Sequence, residues 1–124
     1  MRIREGDTVE VIQGNDKGTR GTVRRVKLGR ETLRRLGRKR RRHARRDHNR
    51  DRVLISGVNL VKKHQRRTGD TRTQIGIIER EEPLHVSNVA LVCPHCQQRT
   101  RVGYQMPDTG RKVRVCKRCQ EIID

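Results

Sequence analysis

Two short cysteine pairs place the strongest constraint on how this chain can fold. They are Cys93-Pro-His-Cys96 and Cys116-Lys-Arg-Cys119, and they contain all four cysteines of the chain. Each Cys-x-x-Cys turn supplies two thiolates, and four thiolates complete the tetrahedral coordination of zinc. The sequence therefore predicts one structural Zn²⁺ ion held by Cys93, Cys96, Cys116 and Cys119. Redox disulfides and unused thiols are the alternative readings.

The net charge points to a polyanionic partner. The chain has 32 Lys and Arg residues against 14 Asp and Glu residues, a formal charge of +18 that repels itself unless a partner supplies counter-charge. It has no Phe or Trp and one Tyr, so it lacks the aromatic platform on which readers of single strands stack bases. We expect contacts from Arg and Lys to phosphates and sugars of folded nucleic acid. A merely soluble basic protein and a membrane-surface protein are weaker alternatives.

The expected role of the metal is structural rather than catalytic, because four thiolates leave no open position for water. Cations close to the second pair are expected to favour thiolate over thiol; they are Lys112, Arg114, Lys117 and Arg118. His95 is interpreted as an exposed residue or an RNA contact rather than a fifth ligand. The zinc module is expected to stiffen the C-terminal half without touching the bound molecule.

Short alternating patterns predict an all-β fold with a small core. Val9 and Val11 alternate with polar residues before a glycine-rich turn, and strand signals return at 53–55, 60–61 and 75–78. Later signals lie at 85–92, 101–105 and 112–115. Apolar residues make up only 30% of the chain, so a metal or a partner must add stability. The first seven residues turn polar at once, which favours a cytoplasmic location, where paired thiols bind metals.

Residues 29–52 are expected to form a basic arm that becomes ordered on RNA, with a solvated loop as the alternative. The cations of its centre are Arg38, Lys39, Arg40, Arg41, Arg42, Arg45 and Arg46.

Four segments resemble one known family. Residues 9–23, with Gly14, Lys17, Gly18 and Gly21 at their turn, look like a KOW motif. The segment 57–64, Gly-Val-Asn-Leu-Val-Lys-Lys-His, resembles a second signature of the bacterial large-subunit ribosomal protein L-twenty-four family. Residues 85–92, and residues 101–104 followed by 110–114, are similar to the rest of that family. Many members lack the cysteines and the arginine-rich insertion.

The resemblance implies an SH3-like β-barrel with a KOW motif at residues 1–80, interrupted by the arm, and a β-rich extension at 81–124, which contains the zinc site predicted from the cysteine spacing. It also implies binding to the 5′ region of large-subunit rRNA, an early role in assembly, neighbouring ribosomal proteins near the peptide exit tunnel, and no membrane or small-molecule substrate. Outside the arm, the expected RNA-binding residues are Lys17, Gly18, Arg20, Arg24, Lys62, Lys63 and His64. Lys17 and Arg20 are expected at the exposed tip of the KOW turn.

The residues alone also allow ordinary structural explanations of these segments, and other functions. The KOW turn could be an ordinary hairpin turn without a binding role. Residues 62–64 could be a solvated strand edge whose charges prevent aggregation. A transcription elongation module shares the KOW motif. A zinc deaminase would need a His-x-Glu motif, which the chain lacks. Glu79, Glu81 and Glu82 are interpreted as a solvated patch that pairs with nearby arginines.

Overall fold

The computed structural model describes residues 2–29, 47–65, 76–107 and 110–123 of the chain. Within these ranges it contains ten β-strands, two short 3₁₀ turns and no α-helix, so the all-β prediction is confirmed. The strands are β1 Thr8–Val11, β2 Arg20–Lys27, β3 Arg52–Ile55, β4 Leu60–Gln65, β5 Gly76–Glu81, β6 Leu84–His85, β7 Val89–Val92, β8 Arg99–Thr100, β9 Val102–Gln105 and β10 Val113–Cys116.

One six-stranded sheet organises the molecule. Its strand order is β6-β3-β2-β1-β7-β8, with all neighbours antiparallel. A 3₁₀ turn at Val86–Asn88 links β6 to β7, which crosses the fold to pair with β1. In an SH3-like barrel, antiparallel strands form a meander, and a 3₁₀ turn leads the last strand back to pair with the first. The order of β6, β3, β2, β1 and β7 matches this arrangement. β8 extends the sheet beyond that barrel.

The core is small and made of branched aliphatic residues, as the composition predicts. Val9 and Val11 point inward from β1, while Thr8 and Glu10 face outward, which is the period-two pattern of a half-buried strand. Val53 and Ile55 repeat the pattern on β3. Gly21 is required where β2 and β3 approach, because a Cβ there would lie 2.6 Å from Ile55 Cγ2.

Two further hairpins form separate sheets. β4 pairs with β5, and β9 pairs with β10. The β9–β10 hairpin packs on the barrel, since Val102 belongs to the same buried cluster as Val9, and Ile123 packs against that cluster. No helix in the described part of the chain is long and apolar enough to cross a membrane.

The division into residues 1–80 and 81–124 stays a prediction about independent domains. In the structure, β6 and β7 lie beyond residue 80 and nevertheless belong to the same sheet as β1, β2 and β3. The sheet is therefore continuous across the expected boundary.

Candidate metal centre and nucleic-acid interface

The four cysteines lie on two knuckles with the same backbone pattern. In the first, the Gln97 amide donates to the Cys93 carbonyl at 2.9 Å; in the second, the Gln120 amide donates to the Cys116 carbonyl at 3.0 Å. Gln97 and Gln120 have φ angles of 55° and 62°, which reverse the chain after each second cysteine. The duplicated turn presents four thiols to one point.

The sulfur positions fit a tetrahedral metal. All four Sγ atoms lie within 4.8 Å of one another, and Cys93 Sγ lies 3.6 Å from Cys119 Sγ. A zinc ion with bonds of about 2.3 Å requires sulfur atoms about 3.8 Å apart, whereas a disulfide requires about 2.05 Å. All four cysteines are free thiols. The predicted ligand set therefore has the geometry for a metal ion.

The protonation of the thiols also suits a cation. Burial raises the pKa of Cys116, but hydrogen bonds to the Thr100 hydroxyl and to the backbone of Cys119 and Arg118 outweigh it and lower that pKa to about 6. A hydrogen bond from the Glu121 backbone lowers the pKa of Cys119, yet burial and the other three cysteines raise it to about 12. Ionisation of one cysteine thus disfavours ionisation of its neighbour, and a bound divalent cation removes this penalty.

The expected charge support for the thiolates is partly wrong. Arg114 is 4% exposed and forms a bidentate ion pair with Asp7, at 2.6 and 3.1 Å, instead of approaching the sulfurs. Arg118 reaches Cys116 Sγ through its backbone amide, at 3.3 Å. His95 is exposed, and its Nε2 lies 3.0 Å from the Ile122 carbonyl oxygen. A guanidinium as buried as that of Arg114 requires a paired counter-charge, and the carboxylate of Asp7 supplies it.

The KOW turn is held rigidly and presents Lys17. The Gly18 amide donates to the Val11 carbonyl at 2.8 Å, and Gly18 has a φ of +88°, which favours glycine. The Asp16 carboxylate accepts a hydrogen bond of 2.8 Å from the Asn59 amide, which ties the turn to the loop before β4. Lys17 is exposed at the tip, as predicted.

Arg20 is not at the tip. It is the first residue of β2, and its Nε lies 2.9 Å from Glu10 Oε2, while a second guanidinium nitrogen donates to the Gln97 carbonyl at 3.3 Å. Arg99 approaches the other oxygen of Glu10 at 3.9 Å. Arg20 therefore joins the KOW segment to the first cysteine knuckle, and Glu10 joins it to β8; the sequence did not reveal either link.

Arg24 also has an acidic partner. It lies 2.8 Å from Glu81 Oε2, and the Gly57 amide donates to Glu81 Oε1 at 2.9 Å. These contacts hold the pKa of Glu81 below its usual value. The hydrogen bond from Gly57 has the larger effect, followed by that from Arg24. Lys62 pairs with Glu79 at 3.7 Å. The expected pairing of the acidic patch with arginines is thus confirmed for Glu81, whereas Glu79 pairs with a lysine instead.

The three predicted cations of β4 do not share one surface. Cross-strand partners are Lys62 with Glu79, Lys63 with Ile78 and His64 with Ile77. Because side chains alternate along a strand, Lys62 and His64 lie on one face of the β4–β5 hairpin and Lys63 on the other. All three are exposed.

The centre of the basic arm, with all seven of its predicted RNA-binding residues, lies outside the described residues. Its two ends are fixed side by side. The Gly29 amide donates to Asp51 Oδ1 at 2.8 Å, and the Asp47 amide donates to the Gly29 carbonyl at 3.1 Å. A Cβ at Gly29 would lie 2.3 Å from the Asp47 carbonyl oxygen, so only glycine fits. We call these contacts the clasp.

Comparisons with known proteins agree on one family. The sequence model described as "Large ribosomal subunit protein uL24, C-terminal domain" matches residues 58–123. Large ribosomal subunit protein uL24 of Thermotoga neapolitana is 48% identical over 124 residues, which cover 100% of this chain and 96% of that protein. The protein of that name from Thermomicrobium roseum is 48% identical over 99% of this chain and 90% of its own length. The one from Halothermothrix orenii is 44% identical, with 100% and 99% covered.

Proposed function

Since the chain belongs to the family of large ribosomal subunit protein uL24, we propose that it is a structural component of the large ribosomal subunit that binds folded large-subunit rRNA. The family is structural and non-enzymatic, so the metal centre has no catalytic role to fill. The observation that carries the proposal is similarity over the full length of the chain, combined with a charge of +18.

The binding surface is built from cations on a rigid barrel. Lys17 stands at the tip of the KOW turn, and the bare backbone at Gly18 lets a sugar-phosphate chain approach closely. Arg20 and Arg24 are oriented by Glu10 and Glu81, and their side chains remain 49% and 61% exposed. A guanidinium fixed by one carboxylate keeps other N–H groups for a phosphate.

The β4–β5 hairpin and the arm extend this surface. Lys62 and His64 on one face, and Lys63 on the other, suit a hairpin inserted between two RNA segments. The cations at residues 38–46 of the arm bind further phosphates. Recognition is by phosphate position and RNA shape, because the chain has a single aromatic side chain.

Cys93, Cys96, Cys116 and Cys119 would hold one Zn²⁺, which supplies a fixed cross-link between the two knuckles. Binding near the 5′ end of the rRNA, early entry into assembly and a place near the tunnel exit, beside neighbouring ribosomal proteins, complete the proposal. They are supported by the family resemblance of residues 9–23 and 57–64.

Sedimentation tests the proposal. Cell lysate is run through a sucrose gradient at moderately high salt, and the protein is measured in each fraction. We expect it to stay with the large subunit at about one copy per particle, because an integral component makes enough contacts to stay bound although salt weakens each contact with a phosphate. Release from the subunit and co-migration with RNA polymerase would instead support an elongation module.

A further inference from the structure

A cationic cleft lies between the barrel and the zinc knuckles. It has a volume of about 520 Å³. Its uncharged lining residues are Ile12, Ala90 and Thr100, and its charged ones are Arg99, Arg101, Lys117 and Arg118. None of these lining residues is acidic. We call this space the knuckle cleft; no motif in the sequence predicted it.

Two of its cations have no acidic partner. In the described ranges of the chain, Arg101 and Lys117 form no ion pair. Both are exposed. Arg99 approaches Glu10 at 3.9 Å and remains 60% exposed, and Arg118 donates to the Gln98 side chain. Among the ion pairs of the described residues, the four cations of the cleft therefore share a single carboxylate, that of Glu10, which lies 3.9 Å from Arg99.

The backbone around the cleft is fixed. The Lys117 amide donates to the Arg101 carbonyl at 3.2 Å, which holds the second knuckle against the turn between β8 and β9. The Lys117 side chain lies over Gly103, where a Cβ would be 3.6 Å from its Cγ. On the barrel side, the Ile12 amide donates to the Asn88 carbonyl at 2.9 Å. The backbone positions of Arg101 and Lys117 are thus set before any ligand binds.

We propose that the knuckle cleft holds the sugar-phosphate backbone of large-subunit rRNA, with Arg101 and Lys117 as its phosphate contacts. The proposal rests on the function proposed above and adds a binding surface to it. Clustered cations without acidic partners match the repeated charge of an RNA backbone. Ile12 and Ala90 offer an apolar surface for the ribose carbons.

The cleft also continues the KOW surface, which favours RNA over an acidic protein. Arg20, at the start of β2, donates to the Gln97 carbonyl of the first knuckle, and Glu10 joins Arg20 to Arg99. Arg20, which follows the KOW turn, is therefore linked to the cleft residue Arg99, and one RNA strand can contact both. The zinc knuckles then contact RNA, in contrast to the purely stiffening role expected from the sequence.

The test is a pair of charge-removing substitutions with a matched control. The double variant Arg101→Gln/Lys117→Gln removes two cations from the cleft, and Arg111→Gln/Lys112→Gln removes two from a nearby segment that does not line it. Each full-length, zinc-loaded protein is titrated with a transcript of bacterial large-subunit rRNA over a series of KCl concentrations, and its zinc content is measured. The cleft variant should lower the log–log salt slope by about 1.4–1.8, at about 0.7–0.9 for each phosphate that is no longer neutralised. The control should change it far less.

Equal slopes for the wild type and the cleft variant, or an equal decrease in the control, would overturn the inference. Normal rRNA binding with poor incorporation into subunits would assign the cleft to an acidic protein neighbour and overturn it as well. Failure of the wild type to bind the transcript or to sediment with the large subunit would remove the proposed function itself. If the cleft variant loses zinc, the lysines of the wild type are acylated with and without the transcript. The transcript should protect Lys117 more than Lys112, and equal protection of the two would overturn the inference.

Discussion

Asp7 and Arg114 form a bidentate ion pair that joins the start of the barrel to β10, the strand that ends at the second cysteine knuckle. The two nitrogen–oxygen distances are 2.6 and 3.1 Å, and the side chains are 11% and 5% exposed. Arg114 also donates to the Arg2 carbonyl, and Asp7 accepts from the Arg4 amide. The pair therefore fixes the N-terminus, the barrel and the β9–β10 hairpin at one point.

Asp7→Ala should destabilise the protein by about 3–5 kcal/mol, because it leaves the Arg114 guanidinium buried without its counter-charge. Urea unfolding of the zinc-loaded protein measures this. The double variant Asp7→Ala/Arg114→Leu removes both charges and should recover part of the stability. A double variant no more stable than Asp7→Ala would mean that the pair does not couple the two parts in this way.

Cys93→Ser should reduce zinc from one ion per chain to a small fraction of that and lower the thermal stability. A hydroxyl is a poor zinc ligand, and Cys93 is a fully buried member of the cluster. The core around Val9, Val53 and Ile55 should still fold, since these side chains do not depend on the sulfurs. Metal analysis and thermal unfolding provide the measurement.

His95→Gln is the matched control for the zinc site. His95 lies inside the first knuckle but bonds to the Ile122 carbonyl oxygen instead of pointing at the sulfur cluster. The variant should keep a full zinc complement. Full zinc in Cys93→Ser, or its absence in His95→Gln, would contradict the four-cysteine site.

Glu81 should make the stability of the protein depend on acidity. The Gly57 amide and Arg24 stabilise its charged form and lower its folded-state pKa below the usual 4.5. A lowered pKa means that the unfolded chain takes up the proton first. The stabilisation is therefore fully present above pH 4.5 and is lost as the pH falls through the folded-state pKa.

Glu81→Gln should remove this dependence, so the stability gap between wild type and variant should be widest near neutral pH and close in acid. Chemical unfolding at several pH values measures the gap, and zinc release in acid affects both proteins alike. Glu82→Gln, an exposed neighbour, is the control and should show little effect. A gap that stays constant with pH would remove Glu81 as the titrating group.

Local patterns predicted most of the strands because their period is visible in the sequence. Val9 with Val11, and Val53 with Ile55, alternate with polar residues, and each pair is buried on one face. The metal cluster was also predictable, since each Cys-x-x-Cys turn forms its own knuckle. These features depend on contacts between residues close together in the chain.

The missed features depend on contacts between distant residues. Arg20 pairs with Glu10 and Arg114 with Asp7, and no local pattern indicates which arginines of so basic a chain acquire acidic partners. The alternation along β4, by contrast, was available and would have shown that Lys62 and Lys63 face opposite sides. The knuckle cleft requires the docking of β8 and β10 on the barrel, which only the structure supplies.

The clasp allows the basic arm to be removed without breaking the barrel. Gly29 and Asp47 are already hydrogen-bonded to each other at 3.1 Å, so residues 31–45 can be replaced by a short Gly-Ser loop. The replacement removes eight cations, Arg34, Arg35, Arg38, Lys39, Arg40, Arg41, Arg42 and Arg45. It should weaken rRNA binding and flatten its salt dependence by roughly 0.7–0.9 in log–log slope for each phosphate that the arm neutralises. Thermal unfolding should be nearly unchanged.

Gly29→Ala is the complementary variant, because it keeps every cation of the arm. Its new Cβ would lie 2.3 Å from the Asp47 carbonyl oxygen, so the clasp must shift and stability should fall. If the arm binds RNA through charge alone, this variant should retain most of the salt slope that disappears in the loop replacement. An unchanged slope in the loop replacement would mean that the arm makes no phosphate contacts. An equally flattened slope in Gly29→Ala would show that the geometry of the clasp matters as much as the charge of the arm.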